Sequence, residues 1–172
     1  MKFTDLPQLT KQGSYVTSCD FPFFIEHIDK EVSEGLILNP DFQRGHVWTE
    51  EQQVAFIEYF LMGGDIGIIH FNAPHWPDVS VNDDYVCVDG LQRITAFQKF
   101  YNNEIKAFGM YYKDFDDKRP RHWITYSVNN LKTRQEVLQW YIEMNSGGTP
   151  HSKEEIDRVK ELLRKEKENH AE

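Results

Sequence analysis

No run of about 18 apolar residues occurs anywhere in this 172-residue sequence, which argues against a membrane-spanning helix. The start, Met1 to Ser14, also lacks the apolar stretch of a secretory leader, so a cytoplasmic protein is expected. Cysteine is scarce. Cys19 and Cys87 are the two present, with no Cys-x-x-Cys pair, and the seven histidines are scattered. That pattern offers no zinc-type ligand set. Cys87 falls within an apolar run and reads as a small core residue. Positive charge is in deficit, with 19 Lys and Arg against 28 Asp and Glu, for a formal net charge of -9. Phosphate neutralisation along DNA needs clustered cations, so DNA contact is expected to be weak or indirect. A local basic pocket remains compatible with this balance, and so does a basic partner protein. Internal repeats and low-complexity tracts are also missing.

What the sequence does have is apolar and aromatic mass. Hydrophobic residues make up 40% and aromatics 14%, enough to pack one core in one domain. Residues 1–19 read as an irregular N-terminal segment, 20–163 as the domain and 164–172 as a charged tail in solvent. Asp20 can cap a helix whose stripe is Phe24, Ile25, Ile28 and Val32, ended by Gly35. Leu36 to Leu38 reads as a short strand broken by Asn39-Pro40. Thr49-Glu50-Glu51-Gln52 is a capping-box pattern opening a second helix. Ile66 to Phe71 and Tyr85 to Val88 read as apolar strands, the latter internal and buried. Residues 72–84 form a Pro/Asp-rich loop between them. A helix with Ile94, Phe97 and Tyr101 on one face follows. Lys106 to Tyr112 and Trp123 to Val128 read as two further strands, adjacent and antiparallel. The spacing then predicts a helix over 133–144 and a last one with Ile156, Val159 and Leu163 inward. Short strands mixed with several helices indicate an α+β fold.

Three loops carry most of the hydrogen-bonding chemistry. The first is Asn39-Pro40-Asp41-Phe42-Gln43-Arg44, followed by Val47-Trp48. The second is Asp89-Gly90-Leu91-Gln92-Arg93, and the third is Asn145-Ser146-Gly147-Gly148-Thr149-Pro150. In the second loop, Gly90 lets the chain turn sharply from strand to helix. The helix start then offers unpaired N–H groups and the positive end of its dipole, a setting that binds anions, phosphate above all. Arg93 adds a planar fork that fits phosphate oxygens. Asp89 could hold a divalent cation, orient Arg93 or cap the helix. In the third loop, Gly147 and Gly148 could bring backbone N–H groups close to a ligand. Each loop taken alone is also compatible with a plain turn or helix cap.

Taken together and in this order, the three segments resemble the N-terminal domain of GmrSD-type modification-dependent restriction enzymes. The resemblance covers roughly residues 20–160. Asn39 to Trp48 is similar to that family's Asn-Pro-x-Phe-Gln-Arg-x-x-Val-Trp segment. Asp89 to Arg93 matches its Asp-Gly-Gln-Gln-Arg hallmark, with Leu91 in place of the first glutamine. Asn145 to Pro150 matches its Asn-Ser-Gly-Gly-Thr-Pro segment. The resemblance implies a ParB/sulfiredoxin-like fold, a small mixed sheet with surrounding helices. It also implies a nucleotide-handling site that binds a nucleoside triphosphate with Mg²⁺.

By position, Asp89, Gln92 and Arg93 inherit the catalytic or phosphate role, with Asp89 the candidate metal ligand. Gln43, Arg44, Gly90, Asn145, Ser146, Gly147 and Gly148 inherit nucleotide binding. Leu91 bears on turnover: a polar residue lost there could lower hydrolysis, whereas helical geometry could simply turn the position into the core. The family's His-Asn-His-type nuclease domain has no counterpart in this sequence, so nuclease activity by this chain alone is not expected. The implied role is a stand-alone domain that binds, and slowly hydrolyses, a nucleoside triphosphate in a restriction or anti-restriction context. Two alternatives stand beside it: an inactive interaction protein that binds a restriction or nuclease protein or another basic partner, and a ParB-type DNA-binding module.

Overall fold

A computed structural model describes residues 14–43, 45, 47–76, 84–116, 122–146 and 153–169. In chain order the elements are β1 (Tyr15–Asp20), α1 (Phe21–Ser33), α2 (Glu50–Leu61), β2 (Ile69–Asn72), β3 (Val86–Asp89) and α3 (Leu91–Tyr101). A 3₁₀ turn (Tyr112–Asp114), β4 (Trp123–Asn129), α4 (Arg134–Ser146) and α5 (Lys153–Asn169) complete them. The expected α+β class is the one found. The four strands form a single mixed sheet in the order β1-β4-β2-β3. β4 lies antiparallel to β1 and parallel to β2, and β2 lies antiparallel to β3.

Local chemistry explains the helix starts. The Asp20 side chain accepts from Phe23 N at 3.1 Å, and Pro22 sits in the first turn, where its missing N–H has no consequence. Thr49 and Gln52 close the reciprocal capping box at the start of α2, with Thr49 N donating to Gln52 Oε1 at 2.9 Å.

The sheet has an apolar cluster on each face. On one, α1, α2 and α3 bury Phe21, Phe24, Phe97 and Phe100 against Ile69, Phe71, Cys87 and Ile124. Phe21 alone meets the rings of Phe60, Phe97, Phe100, Tyr101 and Tyr112 at centroid separations of 5.4–6.1 Å. Each such buried ring contributes about 1.5–3 kcal/mol by leaving water. On the other face, Val88 joins Phe42 and the α4 and α5 residues Leu138, Tyr141, Val159 and Leu163. The strand period of two sends Cys87 to the first cluster and Val88 to the second.

Four local expectations are corrected. Tyr15–Asp20 is a strand, although residues up to 19 read as irregular. Its half-buried positions are Tyr15, Thr17 and Cys19, so polar Thr17 hides the alternation. Lys106 to Tyr112 is not a strand: Phe108 and Gly109 take positive φ values of 52° and 76°, and the chain makes a tight turn closed by an Ala107–Met110 bridge. β4 therefore has β1 and β2 as neighbours. Leu36 to Leu38 reduces to a single parallel bridge between Ile37 and Val86.

The fourth correction concerns β3, which is last in the sheet order rather than internal. Its outer edge is met by Ile37, which donates to Tyr85 O and accepts from Cys87 N, both at 2.9 Å. Cys87 is nevertheless fully buried, as expected. At the other end of the chain, α5 continues through the residues read as tail. Leu163 is buried, and Gln135 Nε2 donates to Glu166 O at 3.0 Å. No helix among the described residues is long and apolar enough to cross a membrane.

Candidate functional site

The site is built around the step from β3 into α3. Gly90 makes that step at φ 131°, and a Cβ placed there would stand 2.7 Å from Ile69 Cγ2. Both the backbone angle and the crowding against β2 therefore require glycine. Gly90, at the N-cap, has no side chain with which to cap the start of α3. The first turn's N–H groups, which have no partner within a helix, and the positive end of the dipole therefore receive nothing from the N-cap side chain.

Asp89 ends β3 and Arg93 lies in the first turn of α3, so they face one another at i, i+4. Arg93 Nη2 donates to Asp89 Oδ2 at 2.7 Å, and Arg93 Nη1 donates to Ile66 O at 2.7 Å. The Arg93 side chain is 15% exposed and the Asp89 side chain 41%, so the carboxylate is the more accessible of the pair. Gly67, at φ 67°, lets the chain pass the guanidinium closely.

Gln92 faces the other way. Its Oε1 accepts from Val47 N at 3.0 Å and Trp48 N at 3.1 Å, while its Nε2 donates to Gly45 O at 2.7 Å. One amide thus fastens the loop after Asn39-Pro40 to α3. Gln43 fastens the same loop to β3, its Nε2 donating to Cys87 O at 2.6 Å. Beside Ile37, a continuing strand would have supplied that bond from a backbone N–H. Because the chain departs at Asn39-Pro40, the Gln43 side chain takes the place of the missing ladder donor.

The first two sequence segments are therefore brought together: Gln43 and Gln92 join loop 39–48 to the Asp89–Arg93 junction. The third is not shown to join them. Asn145 donates back to Tyr141 O at 2.7 Å within α4, and Ser146 is the last residue of that helix. Arg44, Gly147 and Gly148, and the side chain of Ser146, lie outside the described residues. Leu91 is buried, so the hallmark position that it occupies points into the core.

Two features escaped the sequence reading. His70 pairs with Asp89 across β2 and β3, and its Nδ1 lies 2.6 Å from Ser127 Oγ. Its ring meets Trp140 edge-on, at a centroid distance of 5.6 Å. Burial lowers the imidazole pKa below its usual value, opposed by Asp89 and reinforced by Arg93. The uncharged form is favoured at neutral pH. The signal available in sequence was a lone histidine inside the apolar Ile68 to Phe71 run. The second feature is Arg158 on α5, which reaches loop 39–48, and no local pattern announces it. Burial also pushes the Cys87 thiol up to about 12, with Asp89 adding to the rise and Gln43 and Arg93 opposing it. A thiol so placed is not a nucleophile at neutral pH.

Among the described residues, no group of three or more His, Cys, Asp or Glu side chains is placed to hold a metal ion. A cation at Asp89 would take its remaining ligands from phosphate oxygens and water. That suits Mg²⁺, which commonly uses one or two carboxylates plus substrate phosphate. A cleft of about 190 Å³ opens beside Phe42, Val86, Lys132 and Arg134. Its cations are already engaged: Lys132 Nζ with Pro74 O, and Arg134 with Asp41 and Glu166.

The chain is thus a mixed α+β domain organised around a glycine-turned strand-to-helix junction, with a preceding loop pinned across it. It belongs to the family described as the GmrSD restriction endonuclease, N-terminal domain, whose model matches residues 25–123, more than half of the chain. The match takes in loop 39–48 and the Asp89–Arg93 junction and stops at Trp123, before α4 and α5. Family membership sets the protein in a restriction-related context. No curated protein and no solved structure matches the chain significantly.

Proposed function

We propose that this domain binds a nucleoside triphosphate with Mg²⁺ at the β3–Gly90–α3 junction, in the service of a restriction or anti-restriction system. The observation that carries the reading is the start of α3. Its N-cap, Gly90, brings no capping side chain and is an obligatory glycine, and Asp89 and Arg93 flank it. A helix end of this kind favours phosphate. The carboxylate supports a metal-assisted mode, because a bare phosphate would meet the Asp89 charge. Mg²⁺ on Asp89 would offset that charge and draw electron density from the phosphoryl group. Arg93 would supply the fork to phosphate oxygens, while Gln43 and Gln92 hold loop 39–48 in place. Arg44, Asn145, Ser146, Gly147 and Gly148 complete the pocket in this reading. Gln92, with both amide atoms committed to the loop, positions the site rather than activating water, so turnover is slow.

Calorimetric titration with ATP and GTP, with and without Mg²⁺, tests binding, and phosphate release tests turnover. Loss of the charge-assisted bonds from Arg93, each about 1.5–3 kcal/mol, weakens binding in Arg93→Ala by roughly 10- to 150-fold. No heat from the wild type at millimolar nucleotide would sink the proposal.

A second reading is favoured by one observation: Gln92 and Arg93 are both satisfied by their own chain. Under it, the junction is structural and the domain is an interaction module for a restriction protein or another basic partner, consistent with the net charge of -9. It requires Arg93→Ala to lower stability with no nucleotide effect to measure.

A further inference from the structure

Three consecutive carbonyls of loop 39–48 are held by a helix more than a hundred residues further along the chain. Arg158 Nη1 donates to Asp41 O at 2.7 Å, and its Nη2 donates to Phe42 O at 2.7 Å and Gln43 O at 3.1 Å. The loop is gripped a second time through Asp41. Arg134, at the start of α4, sets Nη2 2.8 and 2.7 Å from the two Asp41 carboxylate oxygens. Arg134 Nε reaches Glu166 on α5 at 3.1 Å. Between these contacts Phe42 is buried, its ring 5.3 Å from that of Tyr141. The next residue, Gln43, holds Cys87 O, two residues before Asp89. Contact therefore runs from α5 through residues 41–43 to the edge of β3 and on to the Asp89–Arg93 pair. Both arginines lie beyond the residues that the family model matches.

We infer that Arg158 is a positioning residue through which α5 seats loop 39–48 on the nucleotide site, so that nucleotide binding and the seating of α5 are coupled. The inference rests on the nucleotide reading given above. Carbonyls of three successive residues converge on one group, an arrangement that neither helix nor sheet pairing satisfies. A guanidinium can meet it with several donors held in one plane, whereas an ammonium is a compact point charge. Arg158 is itself exposed, so water competes for its donors and limits what its bonds add to global stability. Their geometric consequence falls on Gln43, which holds Cys87 O. Coupling is reciprocal: if a seated α5 raises nucleotide affinity, nucleotide must favour the seated α5 by the same factor.

The full chain serves for the test, with Arg158→Ala, Arg158→Lys and, as a control on the same helix, Lys160→Ala. Each is titrated with ATP·Mg²⁺ and GTP·Mg²⁺. Amide hydrogen exchange is followed over residues 39–43 and 153–169 with and without nucleotide. Arg158→Ala should bind about 10-fold more weakly, within the usual range for coupled sites, Arg158→Lys should fall between, and Lys160→Ala should match the wild type. Nucleotide should slow exchange in α5 of the wild type but not of Arg158→Ala. Equal affinity of wild type and Arg158→Ala overturns the inference while leaving nucleotide binding intact. So does unchanged exchange in α5 of the nucleotide-bound wild type, which keeps the test decisive if Arg158→Ala fails to fold. A wild type that binds neither nucleotide overturns both readings.

Discussion

Phe97 and Gln92 stand five residues apart on the same helix and are held by opposite means. Phe97 is fully buried among the rings of Phe21, Phe24, Phe56 and Phe60. Its contribution scales with area removed from water and with close packing, and it is nearly indifferent to direction. Gln92 gains little net energy, because water would serve its amide almost as well. What it supplies is direction: three backbone groups of Gly45, Val47 and Trp48 are fixed relative to the start of α3. The middle of α3 thus carries stability and its first turn carries geometry. A polar seam of this kind can rearrange for a ligand at low cost, which an interdigitated aromatic core cannot.

The largest expected effect breaks the apolar side of that comparison. Phe97→Ala removes a ring with four ring neighbours and leaves a cavity, with an expected loss of about 3–5 kcal/mol in a urea melt. A loss under about 1.5 kcal/mol would mean that the core collapses around the gap and that the contrast with the seam is overstated.

Gly90→Ala comes next, and it strikes the point where core and seam meet. The new methyl enters a φ of 131° and presses on Ile69, so a loss of about 1–3 kcal/mol is expected from the strained backbone conformation alone. The same variant should distort the first turn of α3. If stability in a thermal melt is unchanged, the turn is looser than the close contact with β2 implies.

Gln92→Leu removes directed bonds at similar volume. The expected loss is about 1 kcal/mol, because part of the released backbone can turn to water. Hydrogen exchange should quicken over residues 45–48 while the sheet stays protected. A loss as large as that of Phe97→Ala would erase the distinction between the two ends of α3.

Much of this division could be read from the chain, and its limits have physical causes. Helix faces were legible because burial imposes a 3.6-residue period. Phe24, Ile25 and Ile28 of α1 and the run from Ile94 to Phe97 follow from it, whereas Val32, read into the α1 stripe, is exposed; the capping box of α2 was legible from its residue types instead. β1 was not legible, since an edge strand half-buried on one side carries Thr17 where an apolar residue would have marked it. The junction was recognisable as polar groups at a strand-to-helix step. Its wiring was not, because side chains choose partners by tertiary proximity: Gln92 meets Gly45, Val47 and Trp48 behind it, and Arg158 meets residues more than a hundred positions away. His70 was missed for the same reason. It belongs to the junction only through the pairing of β2 with β3.

His70 gives the smallest effect and ties the buried sheet to the seam. Burial lowers its pKa, Asp89 opposes the shift and Arg93 adds to it. In the unfolded chain the imidazole returns to about 6.5. Below that pH the unfolded state takes up a proton that the folded state resists, so unfolding is favoured progressively until the folded-state pKa is also passed. Stability should therefore be flat with respect to this group above pH 6.5 and should fall as pH drops below it. His70→Gln should lose less stability than wild type between pH 7.5 and 5.5, measured by denaturant melts at each pH. The two junction charges give the sharper check, because they act on His70 with opposite sign. Arg93→Ala removes a charge that lowers the pKa, so its pH dependence in this window should be shallower than that of the wild type. Asp89→Asn removes one that raises it, so its dependence should be steeper. Parallel curves for all three proteins would show that His70 does not sense the junction and that the core and the seam are electrostatically separate.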